Sequence, residues 1–364
     1  MGRVSAVGRR RPHAVNMALS LGLALLAVMA CVRLGPDAGH SWRQTGSSRP
    51  GIWISVSEIR SKPMSGAAWN QLKTRADGPI GTPNIANQDS NHDVNTLAVA
   101  YAYARTGQAS YWQKARDAVM GAVGTESGGT VLALGRNLVS YVISADLLSL
   151  SGADDQRFRS WLTNVIGARM SDGRSLREAH EQRPNNFGTH AGASRAAAVS
   201  YLGITSELGR VAQVFSGWLG DRASYAGFKY GDLSWQCNPG APVGINPKGC
   251  FKSGYNVDGV LADDQRRSGG FTWPPPKANY VYEALQGAVV QAEILHRAGY
   301  PAWTWRDNAL LRAFTWLHEA AGYPVQGDDQ WQTWLVNKRY GTRFPAPNPA
   351  RTGKNMGFTD WTHA

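Results

Sequence analysis

The most informative segment of this chain reads Arg183-Pro184-Asn185-Asn186-Phe187-Gly188-Thr189-His190-Ala191-Gly192-Ala193. Proline cannot lie inside a helix and asparagine is a good N-cap, so the segment predicts a helix over 186–201. Asn186 and His190 are four residues apart, which places both on one helical face. An amide donor beside an imidazole suits a site that binds a carboxylate and transfers a proton nearby. The alternative is that the asparagines only cap the helix and that His190 is a hydrogen-bonded core histidine.

Apolar residues recur with the helical period in several further segments. These segments are 94–104, 138–148, 158–166, 211–218, 281–295 and 310–317. No succession of alternating strands is visible between them. Consecutive helices packed as antiparallel pairs predict an all-α fold, either an α/α toroid or a bundle. No linker divides the body, so we expect one domain over 51–364, preceded by a flexible lead-in at 31–50.

Two long segments rich in glycine and proline interrupt the helical pattern. The first, 225–277, contains Trp235 and Trp273, and its length is typical of a lid or a cleft wall, with room for short strands. The second is the tail over 323–364, which is predicted to be a similar aromatic loop. The chain has 14 tryptophans, and aromatic residues in loops suit stacking on sugar rings, although most of them are expected to be packed.

The first thirty residues have the pattern of a signal peptide. They carry Arg3, Arg9, Arg10 and Arg11 without an acidic residue, followed by an apolar run over 17–30. That run is short for a membrane span. We therefore predict export to the periplasm or the medium. The alternatives are a lipid on Cys31 and an uncleaved signal anchor, which would be the only contacts with a membrane.

Charge and cysteine usage narrow the class of partner. Loss of residues 1–30 removes four arginines and no acid, which lowers the formal net charge from +12 to +8. A basic exported protein can bind an acidic polysaccharide, but the basic residues are scattered, which argues against a nucleic-acid-binding arm. Solubility alone also explains the charge. Cys237 and Cys250 are expected to form a disulfide, and no metal or redox-cofactor motif accompanies them.

The layout resembles alginate lyases and related polysaccharide lyases of the α/α-toroid type. In that family an Asn-Asn-His motif begins a central helix, and a later basic stretch leads into a helix with a catalytic tyrosine. Here the second element resembles Asp258-Gly-Val-Leu-Ala-Asp-Asp-Gln-Arg266-Arg267 followed by Asn279-Tyr280-Val281-Tyr282-Glu283-Ala284-Leu285. Phe187 stands where the family has histidine, and the inserted segment 268–277 separates the two parts. The chain therefore resembles a divergent branch, with the polymer undefined among alginate, glucuronan and other polyuronates.

The resemblance implies a cleavage by β-elimination without a redox cofactor, although the sequence leaves a structural cation open. The proton at C5 of a uronate is removed and the 4-linked sugar is expelled. Asn186, with Arg267 or Arg266, would neutralise the carboxylate, because donors aimed at developing charge are often the largest catalytic contribution. Tyr280 and His190 would be the base and the acid, with their roles unassigned. Tyr280 could instead be a packing residue, and the two arginines could form a surface ion-pair cluster with Asp263 and Asp264.

Weaker candidates for substrate binding share a position close to a predicted helix start, where free backbone donors attract carboxylates. They are Asn87, Gln88, Asn91, His92, Arg136 and Asn137. Asn185 and Arg266 are further candidates for substrate binding beside the catalytic residues, as is Tyr282, the close rival of Tyr280. Capping and packing explain them equally well.

Two other functions remain open. A glycoside hydrolase on the same type of toroid needs two carboxyl groups flanking the bond. Asp89, Asp93, Asp258, Asp263 and Asp264 could supply them. A non-catalytic protein that binds acidic polysaccharide would use the basic charge and the aromatic loops. The chain contains no phosphate-binding loop and no dinucleotide-binding unit.

Overall fold

A computed structural model describes residues 50–364 of the chain. The predicted signal peptide, Cys31 and the lead-in up to residue 49 lie outside these residues. The described part is mostly helical, with 14 α-helices and one two-stranded sheet, which confirms the all-α class. The helices are α1 (Val56–Arg60), α2 (Ala67–Asp77), α3 (His92–Thr106), α4 (Ala109–Ala122), α5 (Val131–Leu148), α6 (Gly152–Val165), α7 (Leu176–Gln182), α8 (Asn186–Leu202), α9 (Thr205–Trp218), α10 (Ala262–Gln265), α11 (Asn279–Arg297), α12 (Trp305–Thr315), α13 (Trp331–Tyr340) and α14 (Thr359–Thr362).

The predicted helix behind Pro184 is α8, which ends one residue later than expected. Asn185 is its N-cap, and its side-chain oxygen accepts a hydrogen bond from the backbone N–H of Phe187 at 3.3 Å. Gly203 ends the helix with a φ of 73°, a left-handed conformation in which glycine has no side chain to clash. The other predicted apolar segments lie mainly within α3, α5, α6, α9, α11 and α12.

Helix α8 lies between α5 and α11 and packs closely against both. A Cβ atom on Gly287 of α11 would lie 2.5 Å from the backbone nitrogen of His190. On the other side, a Cβ atom on Gly135 of α5 would lie 2.9 Å from the backbone nitrogen of Ala191. Both separations are shorter than van der Waals contact, so these glycines permit the close approach. The small residues of α8 are therefore explained by packing on both sides, and His190 is enclosed between two helices.

Four long helices form a series of neighbours in chain order. Helix α3 packs against α5, α5 against α8, and α8 against α11, while α4 covers α3 and α5, and α9 covers α8. Helix α5 has the length and apolar composition of a membrane span, but most of its surface is buried in this core. Its apolarity is thus accounted for by its central place in the described protein.

The segment over 225–277 has more order than a plain loop. The predicted disulfide between Cys237 and Cys250 is present. It adjoins an antiparallel hairpin of β1 (Phe251–Lys252) and β2 (Tyr255–Asn256), in which Phe251 pairs with Asn256. Helix α10 and a following 3₁₀ turn, Arg266–Ser268, then lead toward α11.

The expectation of a loop throughout the tail is wrong, because the tail contains α13 and α14. Trp331 and Phe358 are buried, and the ring of Trp361 lies 5.3 Å from that of Trp69 on α2. These aromatic residues therefore fill the core. The tail is irregular over 323–326, before a 3₁₀ turn at Gly327–Asp329, and over 341–358 apart from turns and bends.

Candidate functional site

The two sequence elements that carry the resemblance meet at the start of α8. The carboxylate of Asp264 accepts a hydrogen bond from the backbone N–H of Asn186 at 3.1 Å. The neighbouring Asp263 accepts one from the side-chain amide of Asn185, also at 3.1 Å. The expected ion pair between Arg266 and Asp263 is present at 2.8 Å. Both aspartates are at most 2% exposed, so they do not lie at the surface as that alternative supposed. Burial and the charge of Asp263 raise the pKa of Asp264 well above its usual value.

Arg267 brings together two of the predicted residues. Its Nη1 donates a hydrogen bond to the side-chain oxygen of Asn186 at 2.9 Å. Its guanidinium carbon also lies 3.3 Å from the centroid of the Tyr280 ring, which is partly exposed. Asn186, Arg267 and Tyr280 come from three separate segments, and we refer to them as the Asn186–Arg267–Tyr280 cluster.

The cluster presents free donors. Because an arginine can only donate, its bond to Asn186 fixes the amide with the oxygen toward Arg267 and the NH₂ group turned away. Within residues 50–364 no other hydrogen bond engages that NH₂ group or the remaining nitrogens of Arg267. Asn186 is 2% exposed, so the donors that a ligand can reach are those of Arg267. They are suited to a carboxylate, since guanidinium–carboxylate hydrogen bonds are among the strong ones.

His190 does not reach the surface. Its side chain is fully buried, and its Nδ1 lies 3.4 Å from the side-chain nitrogen of Asn355. If that amide donates to Nδ1, the proton of the neutral ring is on Nε2, which lies 3.7 Å from a carboxylate oxygen of Glu283. Burial lowers the pKa of His190, and the interaction with Glu283 offsets only part of this effect. His190 is therefore a neutral residue behind Glu283 and has no exposed surface in the cleft.

Glu283 is a candidate that the sequence analysis missed. Its carboxylate forms an ion pair with Arg136 and retains 15% exposure. Burial alone would raise its pKa, but His190 and Arg136 lower the pKa of Glu283 to about 2. The signal available in the sequence was its position three residues after Tyr280, which puts both on one side of α11.

The helix-start argument for Arg136 and Asn137 is wrong. Helix α5 begins at Val131, so both residues lie in its second turn, beyond the free N–H groups. Arg136 is instead the partner of Glu283. The amide of Asn137 donates to the carbonyls of Ile85 at 3.0 Å and Asn87 at 2.9 Å, so it holds the loop before α3.

Two further residues predicted to bind substrate, His92 and Tyr282, are buried and hydrogen-bonded inside the protein. His92 is buried with its Nδ1 2.6 Å from the hydroxyl of Tyr141, and burial lowers its pKa to about 4. Tyr282 is 1% exposed and donates its hydroxyl hydrogen to the carbonyl of Tyr323 at 2.7 Å. Neither side chain is exposed enough to contact a polymer. Gln88 is exposed in the loop before α3, and the structure places it in no cluster.

A pocket of about 250 Å³ contains two of the predicted substrate residues, Asn185 and Arg266. Its lining consists mainly of polar and basic residues: Arg174, Gln182, Arg183, Asn185, Lys229, Tyr230, Gly231, Asp263 and Arg266. We call it the basic pocket. A second pocket, of about 310 Å³, is lined by residues such as Glu58, Arg297 and Lys338 and contains none of the predicted residues.

The residues from 50 to 364 include no group of three or more histidines, cysteines, aspartates or glutamates arranged to hold a metal ion. A comparison of the sequence with models of protein families and with curated proteins finds no match.

Proposed function

We propose that this protein is a polysaccharide lyase that cleaves a uronate-containing acidic polysaccharide by β-elimination. The proposal includes an α/α-toroid arrangement, which is supported by the packing of α3, α5, α8 and α11 as successive neighbours. The single observation that carries the function is the position of Arg267. It bonds to Asn186 and lies over Tyr280, so carboxylate-binding donors and a proton-transfer group occur in one place.

The cluster accounts for each requirement of an elimination. The substrate carboxylate binds the free donors of Arg267, which stabilise the negative charge that develops when the C5 proton leaves. Asn186 is 2% exposed, so its role is to hold the guanidinium of Arg267 through the side-chain oxygen. The electrons of the C5–H bond form the C4–C5 double bond, and the bond from C4 to the departing sugar oxygen breaks. The hydroxyl oxygen of Tyr280 accepts the C5 proton, and the same hydroxyl group delivers a proton to the departing oxygen, which balances the reaction.

The buried position of His190 changes its proposed role. We assign it as a positioning residue that holds Glu283 together with Arg136. Glu283 is a weak base because its pKa is about 2. Its charge therefore holds Arg136 in an ion pair, and Tyr280 is left as the proton-transfer group of the cluster.

Ultraviolet absorbance tests the proposal, because elimination creates a conjugated unsaturated uronate and hydrolysis does not. The mature protein is incubated with alginate, glucuronan and other polyuronates. We expect absorbance to rise with one polymer. The rate of this rise should be about 10²–10³ times lower in Arg267→Gln and in Tyr280→Phe. The control is Arg157→Gln, which removes an exposed arginine of α6. Absence of unsaturated product from every polyuronate, or full activity of both cluster variants, would refute the proposal.

A glycoside hydrolase is the second candidate, and a pair of carboxyl groups other than the predicted aspartates favours it. Burial and the charge of Glu283 raise the pKa of Asp329 well above its usual value, whereas the pKa of Glu283 is about 2. Two carboxyl groups with separated pKa values suit an acid and a nucleophile or base.

The five predicted aspartates fit this role less well. Asp89 pairs with Lys354, Asp258 with Arg312, and Asp93 is fully buried, while Asp263 and Asp264 hold the start of α8. New reducing ends without ultraviolet absorbance, lost in Asp329→Asn, would support the hydrolase. Binding of the polymer without either product would support a non-catalytic protein.

A further inference from the structure

The basic pocket contains three cationic side chains that lack a direct partner. In the part of the chain that the structure describes, no ion pair or side-chain hydrogen bond engages Arg174, Arg183 or Lys229. The acidic residue of the pocket, Asp263, already binds Arg266 at 2.8 Å and Asn185 at 3.1 Å. The pocket therefore has positive charge that the protein itself does not neutralise.

Arg183 is a partly buried cation with other cations nearby. Its guanidinium lies 4.8 Å from the centroid of the Phe187 ring. Burial lowers its pKa below the ordinary value for arginine; repulsion from Arg174 and Arg267 adds to this effect, and attraction to Asp263 and Asp172 offsets part of it. A partly buried charge without an ion pair costs free energy, and a bound anion would offset that cost.

The pocket adjoins the Asn186–Arg267–Tyr280 cluster. Asn185 and Arg266 line the pocket, and the next residue in each case, Asn186 and Arg267, belongs to the cluster. In a polyuronate every sugar unit carries a carboxylate. A polymer whose one carboxylate is bound by the cluster therefore brings a neighbouring carboxylate toward the pocket.

We propose that the basic pocket binds the carboxylate of a second uronate unit of the same polysaccharide chain, and so selects polymers with uronates close together. The inference rests on the proposed function for the polymer and its first binding position. Lys229 and Arg183 supply the charged donors, and Arg174 adds positive charge at the same opening. This assigns the substrate preference of the protein to residues outside the cluster.

The test is a binding titration in a Tyr280→Phe background, which keeps the ligand intact. The ligands are a uronate monosaccharide, a tetrauronate, and the same tetrasaccharide after reduction of its carboxyl groups. We expect Lys229→Gln and Arg183→Gln each to weaken tetrauronate binding about tenfold and to leave monosaccharide binding unchanged. The reduced tetrasaccharide should bind both variants as it binds the parent. Arg157→Gln is the matched control for the loss of one positive charge, and inorganic phosphate is the control for unspecific anion binding.

Each outcome separates this inference from the proposed function. Unchanged tetrauronate affinity in both variants overturns the pocket assignment while lyase activity can persist. An equal loss for the monosaccharide also overturns it, because the pocket would then belong to the first position. Phosphate that displaces tetrauronate at equal concentration indicates a general anion site and rejects uronate selection. If the two pocket variants weaken tetrauronate binding but the protein with Tyr280 intact forms no unsaturated product, the pocket assignment is supported and the lyase proposal is refuted. The side chain of Lys229 is exposed, so its variant tests the idea even if Arg183→Gln unfolds.

Discussion

The guanidinium of Arg267 lies 3.3 Å from the centroid of the Tyr280 ring, although the segment 268–277 separates the two residues in sequence. The side-chain amide of Gln265 donates a hydrogen bond to the carbonyl of Pro276 at 2.7 Å, which holds the two ends of the segment together. The indole of Trp235 donates to the carbonyl of Gly269 at 2.9 Å and anchors the segment to the preceding loop. The length of the segment therefore does not separate Arg267 from Tyr280.

Tyr280 and Tyr282 provide a matched pair of variants with opposite expected effects. Tyr280→Phe should reduce the rate of unsaturated product formation by about two orders of magnitude or more and leave stability nearly unchanged, because its ring remains over Arg267. Tyr282→Phe removes a buried hydrogen bond to Tyr323, so it should lower the free energy of unfolding by about 1 kcal/mol while activity persists. Absorbance assays and denaturant titrations of both variants measure this. The reverse pattern would assign the catalytic role to Tyr282.

Gly287→Ala tests the close approach of α8 and α11. The added Cβ would lie 2.4 Å from the carbonyl carbon of Thr189, so the helices must separate. We expect the free energy of unfolding to fall by about 1–3 kcal/mol, as for other overpacked cores. Gly209→Ala on α9 is the control, because the nearest atom to its Cβ would be the Tyr300 hydroxyl at 3.8 Å. That variant should be neutral or stabilised by up to about 1 kcal/mol. Equal stability of the two variants would contradict the packing argument.

Glu181 should make a pH-dependent contribution to stability. Burial alone would raise its pKa, but hydrogen bonds from Arg210 and Arg195 outweigh this effect and lower the pKa of Glu181 from 4.5 to about 2. A lowered folded-state pKa stabilises the protein above the unfolded value, and this contribution disappears as the pH falls toward 2. The difference in unfolding free energy between wild type and Glu181→Gln should therefore be constant above about pH 5 and narrow below it.

Chemical denaturation at a series of pH values measures that difference. Glu319→Gln is the control, since Glu319 is exposed and has no ion pair among the described residues. The unfolding free energy of Glu319→Gln should change with pH in the same way as that of wild type. If the difference in unfolding free energy between wild type and Glu181→Gln stays constant down to pH 3, the proposed role of the Arg195–Glu181–Arg210 network is contradicted.

His190 should stay neutral at the usual pKa of histidine. Burial lowers its pKa, and the nearby Asn355 amide favours the form with the proton on Nε2. Nitrogen-15 NMR of the imidazole should show this tautomer unchanged as the pH falls to the usual pKa of histidine. Protonation of His190 with a midpoint at or above its usual pKa, or a proton on Nδ1, would refute the assignment as a neutral positioning residue.

Local sequence signals predicted the main core helices and the start of α8, which carries Asn186. Pro184 with Asn185 defined the start of α8, and the helical periods marked the main core helices, because both signals depend on residues close in the chain. The two helices of the tail were not predicted, because α13 has a weak apolar period and its surroundings are rich in glycine and proline. The expectation that most aromatic residues are packed is confirmed for Trp331 and Phe358, which are buried.

By itself the sequence determined the helical class, the boundaries of α8, the disulfide between Cys237 and Cys250, and the residue types of the cluster. The tertiary structure decided which side chains are accessible. His190 and Tyr282 have plausible chemistry and spacing, yet neighbouring helices and the tail bury them, whereas Glu283 and the cations of the basic pocket face open space. Burial and long-range pairing depend on segments far apart in the chain, so no local pattern of residues could reveal them.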